Sequence, residues 1–461
     1  MSMHFFELNH PLRVPLAAEI HSRPFLKLHA PELLSHLAVY FEPQSDTRVS
    51  AHEQQHTLLQ ALCAHFGASP PALDAKYFYV DFGPFRLKWE CHTEFATYTF
   101  AQHQTVEQGD VRSLEACMTQ MPITRIPEAW LHGLQGKVLV AAHLILDNRP
   151  LLQDPVDSVD AFSKEVGQLF QGHALAASRV MQGGEFWSDF VVHADGFSRF
   201  VIRDVDMRAQ QAGRLAQRIL EIETYRMMAL LGLPLAQRTT PQLNAIESAL
   251  VDLASTMVEA DHALSEQDLD MESDSERHLL EKITHLAARI EKLSLENNYR
   301  FSASKAYFGL VHARIEELRE QRIEGLPMVA EFMDRRLTPA MNTCDAVANR
   351  QEALARRIAN TNDLLRTRVG IVQEMQNRKI LQSLNARAAQ QLHLQQAVEG
   401  LSVAAISYYV IGLFGYVAKA AKEFGWIAHT ESAVGVAVPV VLGVVWLGLR
   451  RMHQTLHTSK K

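Results

Sequence analysis

His52-Glu53-Gln54-Gln55-His56 spells H-E-x-x-H. On a helix, two histidines four apart share a face and can bind zinc, while the glutamate polarises a water for hydrolysis. The neighbours suit a helix over 50–66, with Leu58, Leu59, Leu62 and Phe66 on its buried side. A third ligand would have to come from Glu90 or Glu94. Ten histidines fall within the first 103 residues, so a five-residue match also has chance as its source. His52, Glu53 and His56 are therefore candidate metal ligands of a zinc hydrolase, an alternative rather than an assignment.

A second polar group surrounds prolines that stiffen the backbone: His10-Pro11-Leu12-Arg13 and Glu19-Ile20-His21-Ser22-Arg23-Pro24. In an extended segment Glu19, His21 and Arg23 would point one way. With Arg13 they form either a grip for an anion or other ligand, or a salt-bridge network at a domain edge. The stretch 266–276 (EQDLDMESDSE) reads as a solvated loop, with Asp274 or Ser275 capping the next helix. Its alternative is a weak Mg²⁺ or other divalent-cation contact through oxygen ligands. No cofactor is expected beyond that. Neither G-x-G-x-x-G nor a P-loop nor G-x-S-x-G occurs, which leaves dinucleotide, P-loop nucleotide and serine-hydrolase chemistry without support. Four separate cysteines form no C-x-x-C pair, which excludes zinc fingers and a disulfide framework. The net charge of -7 argues against nucleic acid as a partner.

Three regions must position these groups in a chain of 461 residues. Residues 1–205 predict an α+β (mixed α/β) domain. Phe85, Leu87, Trp89 and Cys91 alternate with Arg86, Lys88, Glu90 and His92, giving a strand with one apolar and one charged face. Further strands are expected at 77–82, 94–100, 137–147, 186–193 and 198–203, with helices at 31–41, 50–66, 111–119 and 158–171. Residues 206–399 predict a helical, coiled-coil-like region, with helices over 214–233 (stopping at Pro234), 241–263, 276–296 and 302–323. A long final helix is expected to open at Thr338-Pro339. Its apolar positions Leu354, Ile358, Leu365, Val369, Val372, Met375, Leu381 and Leu384 suit either identical subunits or the preceding helices of the same chain.

Residues 400–461 form the third region. Gly400–Ala418 and Ser432–Leu449 are two charge-free apolar runs, each long enough to cross a bilayer as a helix. Arg450, Arg451, Lys460 and Lys461 follow without an acid, so the tail is expected on the cytoplasmic side. A two-span hairpin returns the chain to its starting side, which puts the first 400 residues in the cytoplasm as well. The start, MSMHFFELNH, lacks a signal-peptide pattern. The expectation is a bacterial inner-membrane protein in contact with the lipid bilayer, a homo-oligomer, and not an enzyme.

HPLR…EIHSRP (10–24), FRLKWECHTEF (85–95), RILEIETYRMMALLGLP (218–234) and VEGLSVAAISYYVIGLFGYVAK (398–419) together resemble a proteobacterial family of uncharacterised membrane-anchored proteins. That resemblance implies a domain of unknown function and transfers no catalytic residue. The layout of an α/β domain, a helical layer, one very long helix and two terminal spans is distantly similar to CorA-type magnesium channels. Gln376-Asn377-Arg378 stands where that family often shows an Asn-Arg pair, but the Gly-Met-Asn mouth after the first span is missing. The resemblance implies a divergent two-span cation pathway, with Asn377 on its approach. Read physically, a path lined by the first span of several copies would have Ser402, Ser407 and Tyr408 as its polar groups and Glu399 as the acid at its cytoplasmic entrance. The alternative function is a membrane-anchored scaffold or sensor whose cytoplasmic domain binds a ligand or a protein.

Overall fold

A computed structural model describes residues 9–19, 24–41, 51–104, 113–149, 161–180, 183–262, 269–423, 425 and 429–458. The chain divides by its internal contacts into two units, Met1–Ser255 with Thr284–Ala359, and Thr256–Ile283 with Asn360–Lys461.

The first unit is built on a nine-stranded mixed sheet. Its strands are β1 (Glu32–Tyr40), β2 (Tyr77–Asp81), β3 (Arg86–Cys91), β4 (Phe95–His103), β5 (Lys137–Asp147), β6 (Ala176–Val180), β7 (Gly184–Ser188), β8 (Ser198–Asp204) and β9 (Gln321–Arg322). They lie in the order β2-β3-β4-β1-β5-β8-β7-β6-β9. Only β5 and β8 pair in parallel, Leu144 opposite Phe200, and the other neighbours are antiparallel. Period-two side chains sort the two faces. Leu37, Leu87, Trp89, Tyr98 and Phe100 pack on one face with Leu59 and Leu62 of α2 (Ala51–His65) and Trp130 of α4 (Glu128–His132). Farther along that face Leu33, Ile145, Trp187 and Val201 meet Leu114 of α3 (Leu114–Met118) and Phe162, Val166 and Leu169 of α5 (Ala161–Leu169). A short helix α1 (Arg13–Glu19) precedes the sheet.

The other face is covered by α6 (Ala209–Leu230), and its attachment is polar as well as apolar. Lys88 of β3 donates to Gln217 Oε1 at 3.0 Å, His36 of β1 lies 3.2 Å from Thr224 Oγ1, and Ser198 of β8 donates to Glu223 Oε1 at 3.1 Å. At the start of α6 the segment before β1 crosses closely. Leu28 N donates to Ala209 O at 3.2 Å, and a Cβ on Gly213 would stand 1.7 Å from the Leu26 carbonyl oxygen.

The helices continue as α7 (Gly232–His262), α8 (Leu269–Leu318), α9 (Val329–Glu423) and α10 (Thr430–Thr458). Within the first unit a buried amide fixes the register of three of them. Asn297 of α8 donates to Thr239 Oγ1 of α7 at 3.1 Å and to Gln351 Oε1 of α9 at 2.9 Å.

Several sequence expectations change. The 31–41 segment is the central strand β1 rather than a helix; Leu33, Leu34 and Leu37 mimic a helical period because β1 is covered on both faces. The 186–193 strand ends at Ser188, where the Asp189 carboxylate accepts from Val191 N at 3.1 Å and Phe190 takes φ 54°, turning the chain out of the sheet. Strands β6 and β9 carry too little alternation to be read. Pro234 sits in the first turn of α7 instead of ending α6, a position that needs no backbone donor. The separate helices expected at 276–296 and 302–323 are the single α8, so Asp274 and Ser275 are helical rather than caps. Thr338-Pro339 does not open the last helix. It begins at Val329, where Glu320 accepts from Val329 N and Ala330 N, both at 3.0 Å, placing a carboxylate at the positive end of the helix. Pro339 lies inside, at the cost of one backbone hydrogen bond.

In the second unit, Glu276 is buried and its Oε1 lies 2.5 Å from Arg368 Nε. Leu365 and Val372 are buried in that unit, while Met375, Leu381 and Leu384 are exposed; Leu354 and Ile358 are buried in the first unit. The apolar runs of α9 and α10 each contain a window long and apolar enough to cross a membrane, with 11% and 0% of the residues buried within the chain.

Gly213→Ala should lower stability by about 3 kcal/mol or more, because a backbone carbonyl cannot move aside as a side chain can. Gly309→Ala, on α8 with nothing within 4 Å of the added methyl, should be neutral or stabilising by up to about 1 kcal/mol. Urea unfolding followed by the fluorescence of Trp89, Trp130 and Trp187 checks both.

Candidate functional site

The charged face of β3 is largely covered. Lys88 is only 4% exposed, and its ammonium pairs with Glu90 at 3.2 Å besides bonding Gln217. From Gln217 the chain of contacts runs to Glu221, which accepts from Gln217 Nε2 at 2.7 Å and pairs with Arg314 of α8. Arg314 also reaches Glu317 at 2.8 Å, and Glu317 holds Arg218 at 2.6 Å. Lys88, Glu90, Gln217, Glu221 and Arg314 line a cavity of about 210 Å³ between the sheet, α6 and α8. Its apolar walls include Leu26, Leu28, Leu34, Phe95 and Leu220, and its polar walls include His36, Lys88, Glu90, Thr97, Glu221 and Arg314.

Two buried histidines lie on either side of the sheet here. His36, bonded to Thr99 at 2.8 Å and to Thr224, is held down to about 3, first by burial and then by the charges of Lys88 and His92. It is therefore a neutral hydrogen-bonding group at the cavity wall. His143, on the opposite face of the sheet, lies 3.1 Å from Ser35 Oγ and stacks on Phe197 at 3.9 Å. Burial lowers it to about 4. Beside the cavity Glu94 takes both guanidinium nitrogens of Arg300, at 2.8 and 3.2 Å. Burial first, and then the Glu94 charge, push the nearby Tyr307 hydroxyl well above its usual range.

The residues singled out by sequence fall into separate places. His56 Nε2 lies 3.0 Å from the Pro71 carbonyl and 2.8 Å from that of Ala72, so that nitrogen is engaged by the backbone. Glu53 is exposed on α2, the side chain of His52 lies outside the described residues, and Glu94, one suggested third ligand, is held by Arg300. Arg13 is exposed and bonds Asn9 at 2.5 Å. Glu19 ends α1 with its side chain outside the described residues, and His21 and Arg23 lie outside them altogether. Asn377, Glu399, Ser402, Ser407 and Tyr408 all stand on α9. Ser402 bonds back to the Val398 carbonyl at 2.9 Å, Tyr408 is exposed, and Ser407 is buried with no partner for its hydroxyl among the described residues.

Reasoning from sequence gave Lys88 and Glu90 their shared face but missed Gln217, Glu221 and Arg314. Their signal was weak: Gln217, Glu221 and Thr224 recur at helical spacing on α6, a polar stripe inside an apolar pattern. It also missed His173, Asp189 and His193, whose ligand atoms lie within 4.8 Å of one another.

The chain belongs to the family described as a protein of unknown function (DUF3422), whose family model matches residues 8–456. No curated protein and no solved structure matches it.

His36 and His143 bind a proton more weakly folded than unfolded. Their contribution to stability is present above the unfolded value near 6.5 and is lost as pH falls from there toward about 3 for His36 and about 4 for His143. Each can add a slope of at most about 1.4 kcal/mol per pH unit. Urea midpoints between pH 7 and 4.5 should fall with pH, and His36→Gln should flatten that dependence even though it lowers stability at pH 7.

Proposed function

We propose, for a family whose description assigns no activity, that this chain is a membrane-anchored ligand-binding sensor, not an enzyme. The observation that carries this reading is the cavity bounded by Lys88, Glu90, Glu221 and Arg314. At roughly 30 Å³ per water it holds about seven waters, below the range typical of drug-sized sites. It presents two cations, two carboxylates and an apolar wall. That balance suits a small zwitterion with an apolar part, a molecule of amino-acid size. The two apolar windows of α9 and α10 anchor it in the bilayer, and the basic residues after the second span favour a cytoplasmic body on a bacterial inner membrane. Because α9 begins beside the sheet and contains the first apolar window, ligand occupancy has one continuous helix through which to act. The exposed Met375, Leu381 and Leu384 support a homo-oligomer, with identical subunits covering that stripe.

A cation pathway through the oligomer is the second reading. It is favoured by Ser407, a buried hydroxyl without a partner within an apolar span. Divalent-cation flux into proteoliposomes, lost in Ser407→Leu, would support it.

The test of the sensor is thermal unfolding of the full chain in detergent against a panel of free amino acids. At a hundredfold excess over Kd, a true ligand should add about 2.7 kcal/mol. Ala216→Leu, which fills the cavity wall, and Lys88→Met should each abolish that gain. A panel without any shift in the wild-type chain would refute the zwitterion reading.

A further inference from the structure

We infer that His173, Asp189 and His193 form a binding site for a divalent transition metal of the zinc class, separate from the cavity under α6. Nδ1 of His173 lies 2.7 Å from Asp189 Oδ2, and Nε2 of His193 lies 3.1 Å from the same oxygen. Ligand bonds of about 2.0–2.1 Å in a tetrahedral shell set neighbouring ligand atoms about 3.3 Å apart; the two nitrogen–oxygen separations stand close to that, and all three ligand atoms lie within 4.8 Å of one another, so the two rings close on an ion by side-chain rotation alone. Two imidazoles with one carboxylate is a donor set for zinc or iron(II), not for the oxygen-seeking Mg²⁺.

A second observation points to a ligand. The side chain of His193 is 2% exposed, and its Nε2, although 3.1 Å from Asp189 Oδ2, is not aligned for a hydrogen bond to it or to any other described residue. A buried imidazole nitrogen left in this state loses the free energy of a hydrogen bond unless something else engages it. The carboxylate is also prepared: Asp189 Oδ1 accepts from Val191 N at 3.1 Å, which orients the group and leaves Oδ2 toward the two rings.

The backbone around the trio is held in costly conformations. Phe190 (φ 54°) and Gln171 (φ 55°) are non-glycine residues in the left-handed region, each within two positions of a ligand. Such strain persists where the surroundings enforce it, and here it brings two loops together. His173 and Asp189 also line a cavity of about 390 Å³, through which an ion can reach them.

The full chain in detergent, stripped with EDTA and dialysed against Zn²⁺, tests this by elemental analysis, with Co²⁺ absorption reporting the ligand field. One equivalent of Zn²⁺ per chain is expected. His173→Ala, at a side chain 42% exposed that can be cut without unfolding the domain, should weaken binding about tenfold or more at an unchanged melting profile, and Asp189→Asn should weaken binding by at least as much. His56→Ala should bind as wild type. The proposal is overturned if no stoichiometric metal binds, or if His173→Ala and Asp189→Asn bind undiminished. Loss of the ion in His56→Ala alone would also overturn it and move the site to α2.

Discussion

An ammonium removed from water must keep its charge paired, and Lys88 places that demand on the sheet at β3. Its neighbours on the strand, Leu87 and Trp89, are committed to the α2 face, so the pleat leaves Lys88 no route back to that side. Glu90 and Gln217 satisfy it instead, and Gln217 is a residue of α6. The position of α6 is then fixed at three strands through Gln217, Glu223 and Thr224. Apolar packing alone would tolerate a slide of the helix along the sheet; three directional bonds to β3, β8 and β1 would not. Close approach at Gly213 fixes the remaining end. The cavity is the space that this polar docking leaves between helix and sheet.

The same demand explains which parts of the fold could be read from sequence. Strand β3 is covered by unlike layers, so LKWEC alternates visibly between apolar and charged side chains. Strand β1, ELLSHLAVY, is buried for eight of its nine residues and needs apolar character on both faces, which erases the alternation. Among its polar residues, Ser35 and His36 are satisfied by His143, Thr99 and Thr224, distant in sequence. No local window contains that information. The start of α9 was misplaced for a related reason: the group that caps it, Glu320, stands nine residues before Val329 across a β-turn region, while Thr338-Pro339 offers a local capping signature that the helix does not use.

For the site, legibility followed chain separation. Lys88 and Glu90 share one short strand and could be paired by counting. Glu221 and Arg314 join them only because α6 and α8 pack on the same face, and an arginine in a long amphipathic helix carries no mark of that. The apolar terminal runs needed no tertiary knowledge, since length and the lack of charge are properties of the segment itself. The stripe on α9 behaves in between. Leu365 and Val372 find cover inside their unit, whereas Met375 onward does not, although the sequence pattern does not change there.

The two histidine patterns show why spacing and geometry part company. H-E-x-x-H has the right period for a helix, and α2 is a helix, yet the Nε2 of His56 is turned onto two carbonyl oxygens of the loop that follows. Its position in a helix facing Leu59 and Leu62 favours a structural hydrogen bond over an open coordination site. Asp189 and His193 are also four apart, but in a loop, where that spacing has no fixed meaning. What unites them with His173 is the left-handed turn at Phe190, with Ser188 Oγ accepting from Phe190 N at 3.0 Å and donating to the Arg199 carbonyl at 2.9 Å. The turn aims a buried carboxylate away from the sheet and toward two imidazoles. A periodic motif states which residues share a face of a helix. A metal site requires three donors to converge on a point, and in this chain the convergence is made by backbone that leaves regular structure.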